Sequence, residues 1–175
     1  MDRAIEIYTD GACKGNPGPG GYGVVLISYP PSGDSGGTCR KKELSGGFLK
    51  TTNNRMELLA CIEGLKALKK PSRVVLTSDS KYVVNAMTKG WAKKWRSNGW
   101  KLSPSKPAKN PDLWAELLDL CAIHTVEFKW VKGHNNHPEN ERCDELAVAA
   151  SNKKDLPVDA GFENNTLPED DLFSI

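Results

Sequence analysis

The 175-residue sequence has no apolar run near the roughly 20 residues that a membrane-spanning helix requires. Its first residues, MDRAIEIYTDGA, lack the apolar core of a signal peptide. The five cysteines (Cys13, Cys39, Cys61, Cys121 and Cys143) are odd in number and form no CxxC pair. That argues against a disulfide framework or a cysteine zinc site and points to the reducing cytoplasm, with no membrane partner. No internal repeat is present. What remains is a globular composition, 38% hydrophobic and 26% charged, in a length that buries one substantial core.

Acidic residues are missing from one region and crowded into another. The net charge of +2 divides into 22 basic and 16 acidic residues over 1–151, against six acids and two lysines over 152–175. A basic body suggests a polyanionic partner. The tail from Asn152 is acidic, carries Pro157 and Pro168 and shows no periodicity, so it is expected to be disordered.

Apolar alternation predicts a strand over Ala4–Thr9, a second over Gly23–Tyr29 and a third over about Thr38–Phe48, an antiparallel meander. Leu58, Cys61, Ile62, Leu65 and Leu68 follow helical spacing after an N-cap at Thr52 or Asn53, and Pro71 ends that helix. Arg73–Ser78 is a buried strand, followed by helical spacing over Tyr82–Met87. A helix over Pro111–Cys121, a fifth strand over His124–Val131 and a last helix over Glu139–Ser151 complete the body. The predicted class is α/β: a five-stranded mixed sheet, three antiparallel strands then two parallel ones, flanked by helices.

Residues 9–23, TDGACKGNPGPGGYG, hold six glycines and two prolines behind a single carboxylate, Asp10, at the expected end of the first strand. Alone, Asp10 fits an Asx turn in a glycine-rich hairpin equally well. Its company changes that. Glu57 lies on the first turn of the first helix, Asp79 ends the fourth strand, and Asp144 sits on the last helix. Carboxyl ends of neighbouring strands in an α/β sheet crowd into one crevice. Two carboxylates about 5 Å apart repel by roughly 3 kcal/mol at an effective dielectric of 20, so four together shed charge or take up a cation. Oxygen donors without His or Cys at ligand spacing favour Mg²⁺ or Mn²⁺, and a pair of such ions serves phosphoryl chemistry. His134, in the glycine-flanked WVKGHNNHP, is a candidate proton carrier.

Residues 89–109, KGWAKKWRSNGWKLSPSKPAK, carry seven basic residues and no acid. Such a basic helical protrusion suits a phosphate backbone. Trp91 and Trp95, one helical turn apart, can stack on nucleic acid, pack the arm onto the body, or do both by burying one face each.

Together TDGACKGNPGPGGYG, TNNRMEL, SDSKYV, WAKKWRSNGWK with KPAKNPDLW, and WVKGHNNHPENERCDELA resemble type 1 ribonuclease H, with the bacterial ribonuclease HI group nearest, over about residues 3–151. The resemblance implies a ribonuclease H-like fold and a catalytic domain over 1–151. It implies an endonuclease that cuts the RNA strand of RNA–DNA hybrids to 5′-phosphate and 3′-hydroxyl ends with two Mg²⁺ ions, Mn²⁺ being an alternative. The catalytic and metal-binding acids fall on Asp10, Glu57, Asp79 and Asp144, and His134 assists proton transfer and product release. Glu57 also accepts from a ribose 2′-hydroxyl. Cys13, Asn16 and Asn54 match positions near the RNA strand. Lys50, Thr52 and Asn110 match a pocket for a DNA-strand phosphate, and Trp91 and Trp95 match the DNA channel. The glycines after Asp10 are expected to let backbone approach the hybrid. Lys81 stands where bacterial members commonly carry Gln, which points to a phosphate rather than a base-edge contact. The connection over Pro30–Gly37 is longer than usual, and the tail has no counterpart.

A monomer is expected. The end of the tail, PEDDLFSI, mixes acids with Leu172, Phe173 and Ile175, which suits a basic protein partner or the chain's own arm. A non-catalytic hybrid- or duplex-binding module is the competing function; it would be favoured by a missing acid, and all four are present. A reverse-transcriptase-associated or transposase domain is a third reading.

Overall fold

A computed structural model describes residues 3–165 of the chain. A five-stranded sheet has the order β3-β2-β1-β4-β7. Its members are β1 (Ile5–Cys13), β2 (Gly18–Ser28), β3 (Arg40–Thr51), β4 (Arg73–Ser78) and β7 (Thr125–Trp130). The first three pair antiparallel, while β1–β4 and β4–β7 are parallel. This is the mixed sheet expected from the sequence. A two-stranded ribbon, β5 (Lys101–Ser103) with β6 (Lys106–Pro107), adds a feature the sequence reading did not include.

Helix α1 (Asn53–Lys66) packs on β1 and β2, and α4 (Pro111–Ile123) packs on α1. Between them lies the main core, with Ile7, Leu58, Ile62, Leu76 and Trp114 fully buried. Thr52 caps α1 by accepting from the Arg55 backbone N–H at 3.2 Å, as its residue type favours. On the other face α5 (Pro138–Ser151) covers β2, β1 and β3 over a smaller cluster around Val25, Ile27 and Cys143. Helix α2 (Lys81–Thr88) leads into the basic arm, which holds α3 (Trp91–Ser97).

Two expectations are corrected. Asp10 does not stand where the chain leaves the sheet, because β1 runs on to Cys13 and pairs Asp10 with Gly23. The glycine-rich stretch is accordingly mostly strand, with only residues 14–17 left for the turn. Its glycines answer to packing inside the protein. A β-carbon at Gly11 would come 2.6 Å from the Glu57 backbone nitrogen, and one at Gly23 would collide with the Cys143 carbonyl oxygen. Bare backbone lets α1 and α5 sit close on opposite faces of the sheet.

The second correction concerns the tail. After α5 the chain runs back over the body, the Leu49 N–H donates to the Pro157 carbonyl at 2.8 Å, and α6 (Ala160–Asn165) follows. Asp159 and Phe162 are buried. Buried long-range contacts, which no local composition signals, order this part of the acidic segment. The end, PEDDLFSI, lies outside the described residues. Among the described residues no helix is long and apolar enough to cross a membrane.

Candidate active site

The four acids arrive from two neighbouring strands and two helices. The β1–β4 register ends at Thr9 opposite Ser78, so Asp10 and Asp79 follow side by side just past the end of that pairing, while β1 stays paired to β2. Glu57 comes from the second turn of α1 rather than the expected first, because the helix already starts at Asn53, and Asp144 follows Cys143 on α5, the residue whose carbonyl lies against Gly23. One oxygen each from Asp10, Glu57 and Asp79 lies within 4.8 Å of the others. Asp144 lines the same cleft, of about 320 Å³, together with His134, but stands outside that tight trio.

The trio is electrostatically loaded. Asp10 and Glu57 are buried. Burial, with the Asp79 charge adding to it, pushes Asp10 up to about 7. Burial also holds Glu57 well above its ordinary value, with Asp10 and then Asp79 reinforcing it, and burial raises Asp79. Glu57 Oε2 is buried with no hydrogen-bond partner. A buried acceptor left unmatched beside two more carboxylates is the environment a hard divalent cation satisfies, so the donor set fits such an ion.

His134 is exposed and sits at φ 55, in the left-handed region that few residues other than glycine adopt. The loop that bears it passes close enough that a β-carbon at Gly133 would come 2.7 Å from Asp79 Oδ2.

The remaining candidates divide. Cys13 ends β1 and Asn16 lies in the β1–β2 turn, where its Oδ1 accepts from the Asn53 backbone N–H at 3.0 Å. The Cys13 thiol is directed at the carbonyls of Gly18 and Thr51. Asn54 and Lys50 are exposed, and Thr52 and Asn110 both touch Arg55. Lys81 Nζ lies 4.8 Å over the Trp130 ring. The two arm tryptophans separate: Trp95 packs edge-on to Trp114 at 5.6 Å, whereas Trp91 is exposed beneath Lys89. Trp95, half-buried, thus packs the arm onto the body with one face.

Sequence reasoning missed Arg55, Tyr82, Asp112 and Asp159, which meet at the start of α1 and α4. A signal for Arg55 was present, since it lies three residues before Leu58 on the apolar stripe of α1.

The family model described as RNase H matches residues 2–152. A "Ribonuclease H" from Trichodesmium erythraeum is 58% identical over 159 residues, covering 91% of this chain and 96% of the relative. Among solved structures, LC9-RNase H1, described as a type 1 RNase H with the type 2 active-site motif, is similar with TM-score 0.75 and 36% identity, over 91% of this chain and 79% of that one. LC11-RNase H1, solved in complex with RNA/DNA hybrid, is similar with TM-score 0.57 and 26% identity, over 83% and 95%.

Proposed function

The chain belongs to the RNase H family, and on that premise we propose that it cuts the RNA strand of RNA–DNA hybrids by a two-metal-ion mechanism, leaving 5′-phosphate and 3′-hydroxyl ends. The observation that carries the reading is the trio of carboxylate oxygens within 4.8 Å, one of its members holding a buried, unpartnered oxygen. When bound, two Mg²⁺ ions, or Mn²⁺ in their place, would activate the attacking water and stabilise the leaving oxygen.

In this reading Asp10, Glu57 and Asp79 hold the ions and Asp144 completes the site from α5. Glu57 also accepts from a ribose 2′-hydroxyl, the group that DNA lacks. His134, exposed on its loop, carries a proton between the reacting oxygens and solvent. Cys13, Asn16 and Asn54 meet the RNA strand. Lys50, Thr52 and Asn110 take a phosphate of the DNA strand, which continues toward Trp91 and the basic arm, and Lys81 reaches a phosphate. The five free cysteines support action in a reducing cytoplasm. The same reading has the protein work as a monomer, with PEDDLFSI as a ligand for a basic protein partner.

The test is cleavage of a labelled RNA–DNA hybrid with Mg²⁺, beside single-stranded and duplex RNA, for wild type and Asp10→Asn. Hybrid-only cutting that EDTA and the substitution both abolish is the expected result. Tight hybrid binding without cutting, with either ion, would instead leave a binding module.

A further inference from the structure

Residues 152–165 have no part in the reading so far, yet they close a buried polar network. Its centre is Arg55, whose side chain is 3% exposed. Arg55 Nε and Nη2 donate to the two oxygens of Asp159 at 2.7 and 3.0 Å. Nη1 and Nη2 donate to the two oxygens of Asp112 at 3.0 and 2.8 Å. Thr51 Oγ1 adds a third hydrogen bond to Asp159 at 2.7 Å. Two bidentate carboxylates on one planar guanidinium leave it a single orientation.

That orientation has an outlet. Arg55 Nη1 also donates to Asn110 Oδ1 at 3.3 Å, while Asn110 Nδ2 donates to the Tyr82 hydroxyl at 3.2 Å. Asn110 stands in the left-handed region, φ 58, just ahead of α4. Its amide has two hydrogens, and Tyr82 takes one of them. On the other side of Arg55, Thr52 Oγ1 accepts from the Arg55 backbone N–H, so its own hydroxyl hydrogen remains available to donate. One arginine therefore references two outward donors, one through its side chain and one through its backbone.

We propose that Asp159 is a positioning residue for the DNA strand of the hybrid: it fixes Arg55, and through Arg55 it aims the Asn110 amide and the Thr52 hydroxyl at one DNA-strand phosphate. The proposal rests on the hybrid reading above and adds to it a residue beyond the span that the family model matches. Asp159 touches neither the carboxylate cleft nor its loop. The N-cap of α1 and the buried Met56 and Leu58 hold Glu57 in place without it.

The test uses hybrids whose DNA strand carries one uncharged methylphosphonate linkage at each position in turn. Affinity is measured by anisotropy in EDTA, and kcat and KM are measured with Mg²⁺. For wild type, one linkage position is expected to weaken binding several-fold. Asp159→Ala is expected to bind the unmodified hybrid several-fold more weakly, to raise KM with kcat retained, and to show no further loss at that position. Asp159→Asn keeps the Thr51 hydrogen bond and serves if the alanine variant folds poorly; it is expected to shrink the same positional loss. A positional loss of wild-type size in both variants would overturn the proposal and leave the segment a structural clamp. A wild type that cleaves hybrids but shows no sensitive DNA position would overturn it as well. A wild type that cleaves no hybrid would instead sink the reading on which the proposal rests.

Discussion

The indole Nε1 of Trp130 donates to the backbone carbonyl of Asp79 at 3.0 Å. The last residue of β7 thereby ties down a site carboxylate through its main chain, and the Lys81 ammonium over the ring fixes the indole from the other side. Trp130→Phe keeps the ring and removes the donor. A net hydrogen bond contributes about 1 kcal/mol, so Mg²⁺-dependent kcat is expected to fall by about fivefold. Hybrid affinity should stay unchanged, and steady-state kinetics beside an anisotropy titration would show the split.

Metal-free stability should fall with rising pH. The folded value of Asp10 lies above its ordinary 3.8, at about 7, so the ionised form is the one the fold disfavours. Its contribution is full below the ordinary value and is lost as pH rises through about 7. Urea denaturation in EDTA between these limits should show the decline, and added Mg²⁺ should reverse it. Asp10→Asn should flatten the curve and stabilise the metal-free protein by about 2 kcal/mol while abolishing cleavage.

The opposite sign holds at Arg55. Burial pushes Asp112 and Asp159 up, but hydrogen bonds and charge from Arg55 outweigh it and hold both below the ordinary carboxylate value. Their contribution is present above the ordinary 3.8 and is lost as pH falls through the depressed folded values. Arg55→Ala leaves Asp159 buried without its counter-charge and should cost about 3–5 kcal/mol in urea denaturation at neutral pH. Its circular dichroism should report acid unfolding at a higher pH than wild type.

His134→Ala tests the proton carrier. The side chain is exposed and carries no packing role, so melting temperature should hold. Turnover of the hybrid should drop by on the order of 10²-fold, the low end of general acid–base contributions. Equal turnover across the neutral range in both proteins would remove His134 from the mechanism.

Much of this was legible in the sequence, for reasons that particular residues make clear. Ile7, Val25 and Leu76 lie on strands whose apolar pattern is local, and Asp10, Glu57 and Asp79 each lie on or directly after an element that the pattern locates. The glycines of β2 misled because the local rule assigns Gly to turns, whereas here helix backbones claim the space a side chain would fill. The docking of Asp159 on Arg55 joins residues 104 positions apart, and an acidic, proline-bearing segment gives no local sign of such a partner. Trp95 could be divided from Trp91 only once Trp114 was in place to receive it.

Gly23 lies beside Asp10 in the sheet and beneath Cys143, the residue before Asp144. The height at which the fourth carboxylate enters the cleft is thus set by a tolerance in β2, a strand to which Asp144 is not bonded. One methyl group at Gly23 would act as a shim, lifting the rod that bears Asp144 off its bed while the other three acids stayed where they are. The gauge of the site is kept, in part, by an atom the chain leaves out.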